Sequence, residues 1–181
     1  MTMEQMNELK FPIGKYTPVK DPSPALIDQW ISEIGAFPSK VERLTEALSN
    51  DQLNWKYRPG GWTVAQVVHH CADSHMNSFI RFKLAITEDS PTIRPYFEAK
   101  WAELPDSMTT EICDSLALLK GLHRKWVCLL SALNTEQLQR TYIHPEHGQK
   151  FNLAETIGNY AWHCNHHQAH IENALNAKGA Y

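Results

Sequence analysis

The sequence has no closely spaced cysteines, no long apolar run and no large excess of charge of one sign. Its four cysteines, Cys71, Cys113, Cys128 and Cys164, lie far apart without a C-x-x-C spacing. This excludes a redox motif or zinc knuckle and indicates free thiols in a reducing compartment. No apolar run approaches the roughly 18 residues of a membrane span. The formal net charge of −3 provides no broad basic face for nucleic acid or an anionic membrane.

Residues 1–20 also lack the charged and apolar regions of a secretory signal, so we expect a cytoplasmic protein. The 181 residues are 43% hydrophobic and 20% charged, which is typical of one self-sufficient domain spanning residues 1–181. Histidine is the unusual component, with ten residues in the chain. Seven of them form two clusters: His69, His70 and His75, and His163, His166, His167 and His170.

Apolar periodicity predicts four long helices, at about residues 24–48, 63–87, 110–133 and 152–178. Pro38 is expected to kink or interrupt the first, Thr63 and Gln66 to form a capping box on the second, and Gly179 to end the last. Residues 88–106 form a long aromatic connection, and residues 141–151 are predicted as a small β-hairpin. The predicted fold is therefore all-α, a four-helix bundle with long connecting loops and one small hairpin, in which metal or cofactor sites are built from inward-facing side chains.

On the last helix, His163 and His167 are the histidines that face the apolar arc most closely. They are four residues apart, so their rings lie on adjacent turns of one face and can share a cation. The same spacing lets the two histidines of H-E-x-x-H share zinc, although the glutamate of that motif is absent here. The alternative is that these are ordinary histidines, partly exposed or hydrogen-bonded in the core. A third ligand must come from another helix.

On the second predicted helix, His75 lies near the centre of the apolar arc, which by periodicity alone favours it as that third ligand. His70 lies instead on a polar stripe with Asp73, Asn77 and Arg81. Such a stripe is either a solvated face or the wall of a polar pocket between helices.

Several runs in this region resemble the DinB superfamily of metal-binding four-helix bundles. They are GGWTV at 60–64, VVHH at 67–70, ADSHMN at 72–77 and IRFK at 80–83. With IRPY at 93–96, SLALL at 115–119 and the pattern Y-x-W-H-x-x-H-H-x-x-H at 160–170, the chain is more closely similar to the YfiT-type metal-dependent hydrolases. The opening FPIGKY at 11–16 is also similar, so the resemblance spans nearly the whole chain.

The resemblance implies a specific ligand set. In that family the metal ligands are one histidine eight residues after the tryptophan of the second helix, and the first and fifth positions of H-x-x-x-H in the last helix. On this sequence they correspond to His70, His163 and His167, which leaves His75 as the alternative. The resemblance also implies zinc or nickel as the ion and a homodimer as the assembly.

Three neutral imidazoles leave a divalent ion its full charge and an open position, as in catalytic zinc sites, although they do not select the metal. We expect a hydrolase in which the ion activates water on a small-molecule substrate. Asp73 and Glu98 are the candidate proton shuttles, and Asp73 is also a candidate for orienting a ligand imidazole.

A second polar set is predicted to bind substrate, because guanidinium groups grip carboxylates bidentately. It comprises Asn77, Arg81, Arg94, Tyr96 and Trp101. The alternative for these residues is salt bridges and packing of the long connection.

Two other functions stay open at this point. Related DinB-type proteins resemble bacillithiol and other thiol S-transferases, in which the metal would deprotonate a low-molecular-weight thiol and no separate general base is needed. A metal-binding stress protein without turnover is the other alternative. Both retain the same three histidines as ligands.

Overall fold

The computed structural model describes residues 1–146 and 148–181. In chain order its elements are α1 (Met3–Lys10), α2 (Pro24–Thr45), α3 (Asn50–Leu53), α4 (Val64–Thr87), α5 (Glu98–Trp101), α6 (Cys113–Ser131), α7 (Thr135–Leu138), β1 (Thr141–His144), β2 (Gln149–Asn152) and α8 (Leu153–Ala177). The four long helices and the small hairpin that the sequence predicts are confirmed. Among the described residues, none of the helices has the length and apolar character needed to cross a membrane.

The four long helices form a bundle in which α2 and α4 each pack against both α6 and α8. Their facing sides supply a continuous apolar core that includes Ile34, Phe37, Phe82, Leu119 and Trp126, each at most 1% exposed. Burying one such side chain stabilises the fold by about 1.5–3 kcal/mol. The core therefore holds α4 and α8, which carry the two histidine clusters, in fixed positions.

Local sequence signals set the ends of α4 and α8. Thr63 and Gln66 form the predicted capping box, with Gln66 N donating to Thr63 Oγ1 at 3.1 Å and Thr63 N donating to Gln66 Oε1 at 3.0 Å. Asn152 accepts from the backbone amide of Glu155 at the start of α8. This satisfies amides that the first helical turn leaves without partners.

The helix α2 continues through Pro38, so of the predicted kink or interruption the interruption is wrong. Proline has no backbone N–H, and the carbonyl of Ile34, four residues earlier, therefore loses its helical donor. The ring of His123 on α6 replaces that donor, with Nδ1 2.7 Å from the Ile34 oxygen. A side chain from the neighbouring helix thus satisfies the carbonyl that proline leaves free.

The hairpin holds the long connection between α4 and α6 in place. Its strands pair in antiparallel register, with Tyr142 opposite Phe151. Ile143 donates its amide to the Pro91 carbonyl at 2.9 Å and accepts from the Ile93 amide at 3.0 Å. The predicted turn includes His147, which lies outside the described residues.

Candidate metal centre

The structure brings together the three histidines predicted as ligands. His70 lies on α4, and His163 and His167 lie on α8; each offers one ring nitrogen, and these atoms all lie within 4.8 Å of one another. The ring centroids of His163 and His167 are 4.4 Å apart, and those of His70 and His167 are 4.8 Å apart. We call these three residues the histidine trio.

The helix α4 has two buried faces, which explains why periodicity alone favours His75 whereas the structure brings His70 into the trio. His75 is fully buried among Phe37, His123 and Trp126, and its Nε2 also reaches Nδ1 of His163 on α8, at 3.0 Å. His70, on the polar stripe, lies beside both His163 and His167, with ring centroids 5.5 and 4.8 Å apart. A helical wheel with a single apolar arc identifies only the buried face that carries His75 and misses the one that carries His70.

Burial keeps the histidine trio neutral. It lowers the pKa of His70 to about 4, with a further contribution from His166. Burial and then neighbouring imidazoles lower the pKa of His163 and His167 well below the ordinary value. Neutral imidazoles present the lone pairs that a metal ion requires, so the chemistry of this donor set fits a divalent cation.

The other two histidines of α8 lie under a cover that helical periodicity does not predict. His166 is expected to point furthest from the core, yet His166 and His170 are 7% and 2% exposed. The Trp162 ring stacks on His166 with centroids 4.4 Å apart, and Tyr57 stacks on His170 at 3.8 Å. Phe11 packs on the same side, at 6.1 Å from His166. The segment after α1 and the loop before α4 thus form a second wall around α8.

A cavity of about 810 Å³ opens beside the histidine trio, which forms part of its lining. This volume is typical of a small-molecule site. The charged groups of its lining are Lys10, Lys56, Arg58, Glu98 and Glu103. The Nε atom of Arg58 is buried and has no hydrogen-bond partner among the described residues.

The two predicted carboxylates take different positions. Glu98, the first residue of α5, lines the cavity and is exposed. Asp73 lies one turn after His70 but is not among the residues that line the cavity. Burial, followed by the charge of Asp106, raises the pKa of Asp73 to about 6. Only Glu98 therefore borders the space beside the trio directly.

The structure does not bring the five predicted substrate-binding residues into this cavity lining; they are Asn77, Arg81, Arg94, Tyr96 and Trp101. The Asn77 amide donates to the Asp73 carbonyl at 2.9 Å, within α4. The Tyr96 and Trp101 rings pack together at 4.6 Å, and Arg94 is exposed. Residues 91–93 lie alongside β1, where Thr92 forms a parallel bridge with Ile143.

Tyr96 nevertheless lies one side chain from the trio. Burial raises the pKa of the Tyr96 phenol, whereas the Ser74 side chain lowers this pKa by interacting with the phenol. The Ser74 hydroxyl lies 3.5 Å from Nε2 of His163. The charges of Glu98 and Asp73 raise the pKa of Tyr96 further. Tyr96 and the two candidate carboxylates are thus electrostatic neighbours.

Several contacts of the trio are absent from the sequence predictions. Trp62 packs on His70 with ring centroids 4.6 Å apart. His163 Nδ1 lies 3.0 Å from His75 Nε2, and His167 Nδ1 lies 3.3 Å from His170 Nδ1. His75 Nδ1 in turn lies 2.8 Å from His123 Nε2. The sequence signal for this further pair is a histidine in the apolar pattern of each of two neighbouring helices. Periodicity gives both helical positions but not the bond between them.

Comparison with known proteins identifies relatives over almost the whole chain. The sequence model of the DinB superfamily matches residues 33–171. Proteins from Bacillus cereus (strain 03BB102) and Bacillus thuringiensis subsp. konkukian (strain 97-27) are 52% identical over 166 residues, which covers 92% of this chain and 95% of each relative. Both are named "Putative metal-dependent hydrolase".

Two solved structures resemble this fold to different extents. YfiT from Bacillus subtilis, described as "a probable metal-dependent hydrolase with an unusual four-helix bundle topology", is 46% identical with a TM-score of 0.92, and the match covers 95% of this chain and 98% of that one. The mycothiol-dependent maleylpyruvate isomerase is 15% identical with a TM-score of 0.59, over 86% of this chain and 63% of that one. The second likeness concerns the fold alone.

Proposed function

Because the chain belongs to the DinB superfamily, we propose that it is a metal-dependent hydrolase in which His70, His163 and His167 hold one divalent ion, zinc or nickel. The observation that carries this proposal is the convergence of three neutral imidazole nitrogens within 4.8 Å, beside a cavity of about 810 Å³. The names of the relatives from Bacillus cereus and Bacillus thuringiensis support it. We further propose that this centre forms part of a single domain spanning residues 1–181.

The bound ion would act as a Lewis acid that activates water and polarises a substrate carbonyl. Packing by Trp62 and hydrogen bonds to His75 and His170 hold the three rings in place. Trp62 and the buried face of α8 exclude water from one side of the trio, which strengthens electrostatic interactions on that side.

We propose Glu98 as the group that takes up and returns the proton, because it lines the cavity with the trio. Asp73 is the alternative, and its raised pKa of about 6 suits proton transfer near neutral pH. The substitutions Glu98→Gln and Asp73→Asn separate the two. We expect Glu98→Gln to lower kcat by 10²-fold or more, on the order of a general acid-base contribution, and Asp73→Asn to leave most activity.

Substrate binding is assigned to the cationic side of the cavity. Arg58 is the main candidate, because its Nε has no partner among the described residues and its guanidinium can bind a carboxylate bidentately. Lys10 and Lys56 supply further positive charge. We expect Arg58→Ala to raise KM for anionic esters, amides or lactones far more than for neutral ones.

Metal analysis of the purified protein tests the ligand set directly. The wild type is expected to bind one ion per chain, while His70→Ala, His163→Ala and His167→Ala lose it. His69→Ala is the matched control, since His69 is a buried neighbour of His70 that bonds to Ser115 and the Thr109 carbonyl instead. Stoichiometric metal in both His163→Ala and His167→Ala would show that the assignment is wrong.

Activity assays separate hydrolysis from thiol transfer. The exposed positions of Glu98 and Glu103, the carboxylates of the cavity lining, favour thiol transfer as the second candidate, because that reaction needs no buried general base. A hydrolase cleaves esters, amides or lactones in a metal-dependent reaction without added thiol. A transferase consumes a model electrophile only when a low-molecular-weight thiol is present, and a non-catalytic metal-binding protein takes up the ion but performs neither reaction.

The assembly and cellular location remain proposals that follow from the family. We propose a cytoplasmic homodimer, and sedimentation equilibrium of the purified chain tests the dimer at micromolar concentration. A mass of one chain, 20.7 kDa, at all concentrations contradicts it.

A further inference from the structure

Two ligands of the histidine trio stand at the ends of hydrogen-bonded rows of rings, and each row begins at a backbone carbonyl. A carbonyl oxygen only accepts hydrogen bonds, so the ring nitrogen facing it carries the proton. A neutral imidazole has one proton and one lone pair, and its other nitrogen is then an acceptor. The direction of every bond in each row therefore follows from its first member.

The first row crosses the core from α2 to α8. His123 Nδ1 donates to the Ile34 carbonyl at 2.7 Å. His123 Nε2 accordingly accepts from His75 Nδ1, which lies at 2.8 Å. His75 Nε2 accepts from His163 Nδ1 at 3.0 Å. The lone pair of His163 is left on Nε2.

The second row runs from α1 to α8. His170 Nε2 donates to the Lys10 carbonyl at 3.2 Å. His170 Nδ1 accepts from His167 Nδ1, at 3.3 Å. The lone pair of His167 is left on Nε2, as in His163.

We propose that His75, His123 and His170 are positioning residues that fix His163 and His167 in the Nδ1–H tautomer and direct both Nε2 lone pairs at the same ion. The polar contact at His163 Nε2 is consistent with this, since the Ser74 hydroxyl at 3.5 Å is able to donate to a lone pair. Burial supports single protonation, and it lowers the pKa of His123 to about 4. The consequence for metal binding rests on the proposed function, whereas the tautomers themselves do not.

The two anchors share a physical origin. Ile34 has a free carbonyl because Pro38 supplies no amide, and Lys10 has one because it is the last residue of α1. Unpaired main-chain acceptors attract the nearest buried donor, since leaving one unsatisfied costs about 1–3 kcal/mol. Both unpaired carbonyls are thus satisfied by histidine rings, and each of these rings begins a row that ends at the histidine trio.

Long-range 1H–15N spectra of the metal-free full-length protein test the tautomers without any metal. We expect protonated Nδ1 and unprotonated Nε2 at His75, His123, His163 and His167. The opposite tautomer is expected at His170 and at His69, whose Nε2 faces the Thr109 carbonyl at 3.1 Å. His69 therefore serves as an internal standard. Protonated Nε2 at His163 and His167 would overturn the proposal, whatever the protein catalyses.

Metal titration of variants tests the consequence. His123→Leu and His170→Leu break the two rows, and we expect each to weaken zinc affinity by about 10-fold to 100-fold, the usual effect of removing a group that orients a ligand. His123→Gln and His170→Gln retain a donor and an acceptor and should restore most of the affinity.

His69→Gln is the matched control, since it changes a buried histidine outside both rows. Equal zinc affinity for the leucine and glutamine variants at a position would overturn the positioning role of that row. If a leucine variant does not fold, the spectra of the wild type still decide the question. Failure of the wild type to bind zinc or nickel contradicts the proposed function and leaves the tautomers to be judged separately.

Discussion

The inner histidines, His75 and His123, and the outer histidines, His166 and His170, are all buried but are covered by different parts of the molecule. The inner pair lies within the bundle against Phe37 and Trp126. Tyr57, Phe11 and the carbonyl of Lys10 cover the outer pair from outside the bundle. Burial thus lowers the pKa of both pairs. The core buries the inner histidines, and a surface segment buries the outer ones.

This difference predicts different responses to perturbation. Opening the inner side requires separation of long helices, which amounts to global unfolding. Opening the outer side requires the displacement of α1 and the residues after it, together with the loop before α4 that carries Tyr57, and α1 has no buried residues. Segments with few buried contacts open locally with small free energies. The outer side is therefore the natural place for exchange with solvent.

Trp126→Ala is expected to give the largest effect. Trp126 is fully buried and packs on both inner histidines, so truncation leaves a cavity in the core. We expect the free energy of unfolding to fall by about 3–5 kcal/mol, measured by urea denaturation. Leu118→Ala, at a 43% exposed position on the same helix, is the control and should cost less than about 1 kcal/mol. Similar losses for both would mean that the inner side is not tightly packed.

Acidification of the metal-free protein is expected to lower its free energy of unfolding through both the inner and the outer histidines. His123 and His166 have pKa values of about 4 in the folded chain, below the ordinary 6.5. As the pH falls from 6.5 to 4, the unfolded chain binds protons that the folded chain does not, so stability declines. The loss for His123 is about 3 kcal/mol across this range. Denaturation at several pH values measures it, and a flat profile between pH 7 and 4 would contradict it.

Phe11→Ala should distinguish the two sides. It removes half-buried packing over His166, so we expect a loss of about 1–2 kcal/mol and a rise in the pKa of His166 toward 6.5. The pKa of His123 should not change. Histidine titration by NMR measures both in one experiment, and a parallel shift of the two would contradict the separation of inner and outer sides.

Thr2→Ala is expected to give the smallest effect. Thr2 caps α1 through a reciprocal capping box with Gln5, and its loss costs about 0.5–1 kcal/mol within that helix. We expect faster amide exchange in α1 and near His170, with an unchanged urea midpoint for the whole protein. Unchanged exchange in α1 would show that tertiary contacts, rather than the cap, hold the segment.

Much of the fold could be predicted because its signals are local. Periodicity and caps give the four long helices within a few residues, and the Thr63–Gln66 capping box gives the start of α4. The two candidate ligands on α8 follow from their four-residue spacing. The third does not, because α4 is buried on two faces, and only the resemblance favours His70 over His75.

Residues that depend on long-range contacts could not be predicted in this way. The burial of His166 arises from Phe11, more than one hundred and fifty positions earlier in the chain, and no helical period encodes that contact. Arg58 becomes a cavity residue only through the loop before α4.

Pro38 shows that the absence of one backbone N–H affects residues in other helices. The helix that carries it contributes no residue to the cavity lining, yet the acceptor it exposes begins the row of three imidazoles that ends at His163. A residue with a backbone amide at position 38 would compete with His123 for that oxygen. Related chains that differ at this position are therefore expected to differ at position 123 as well, as a coordinated pair remote from the substrate.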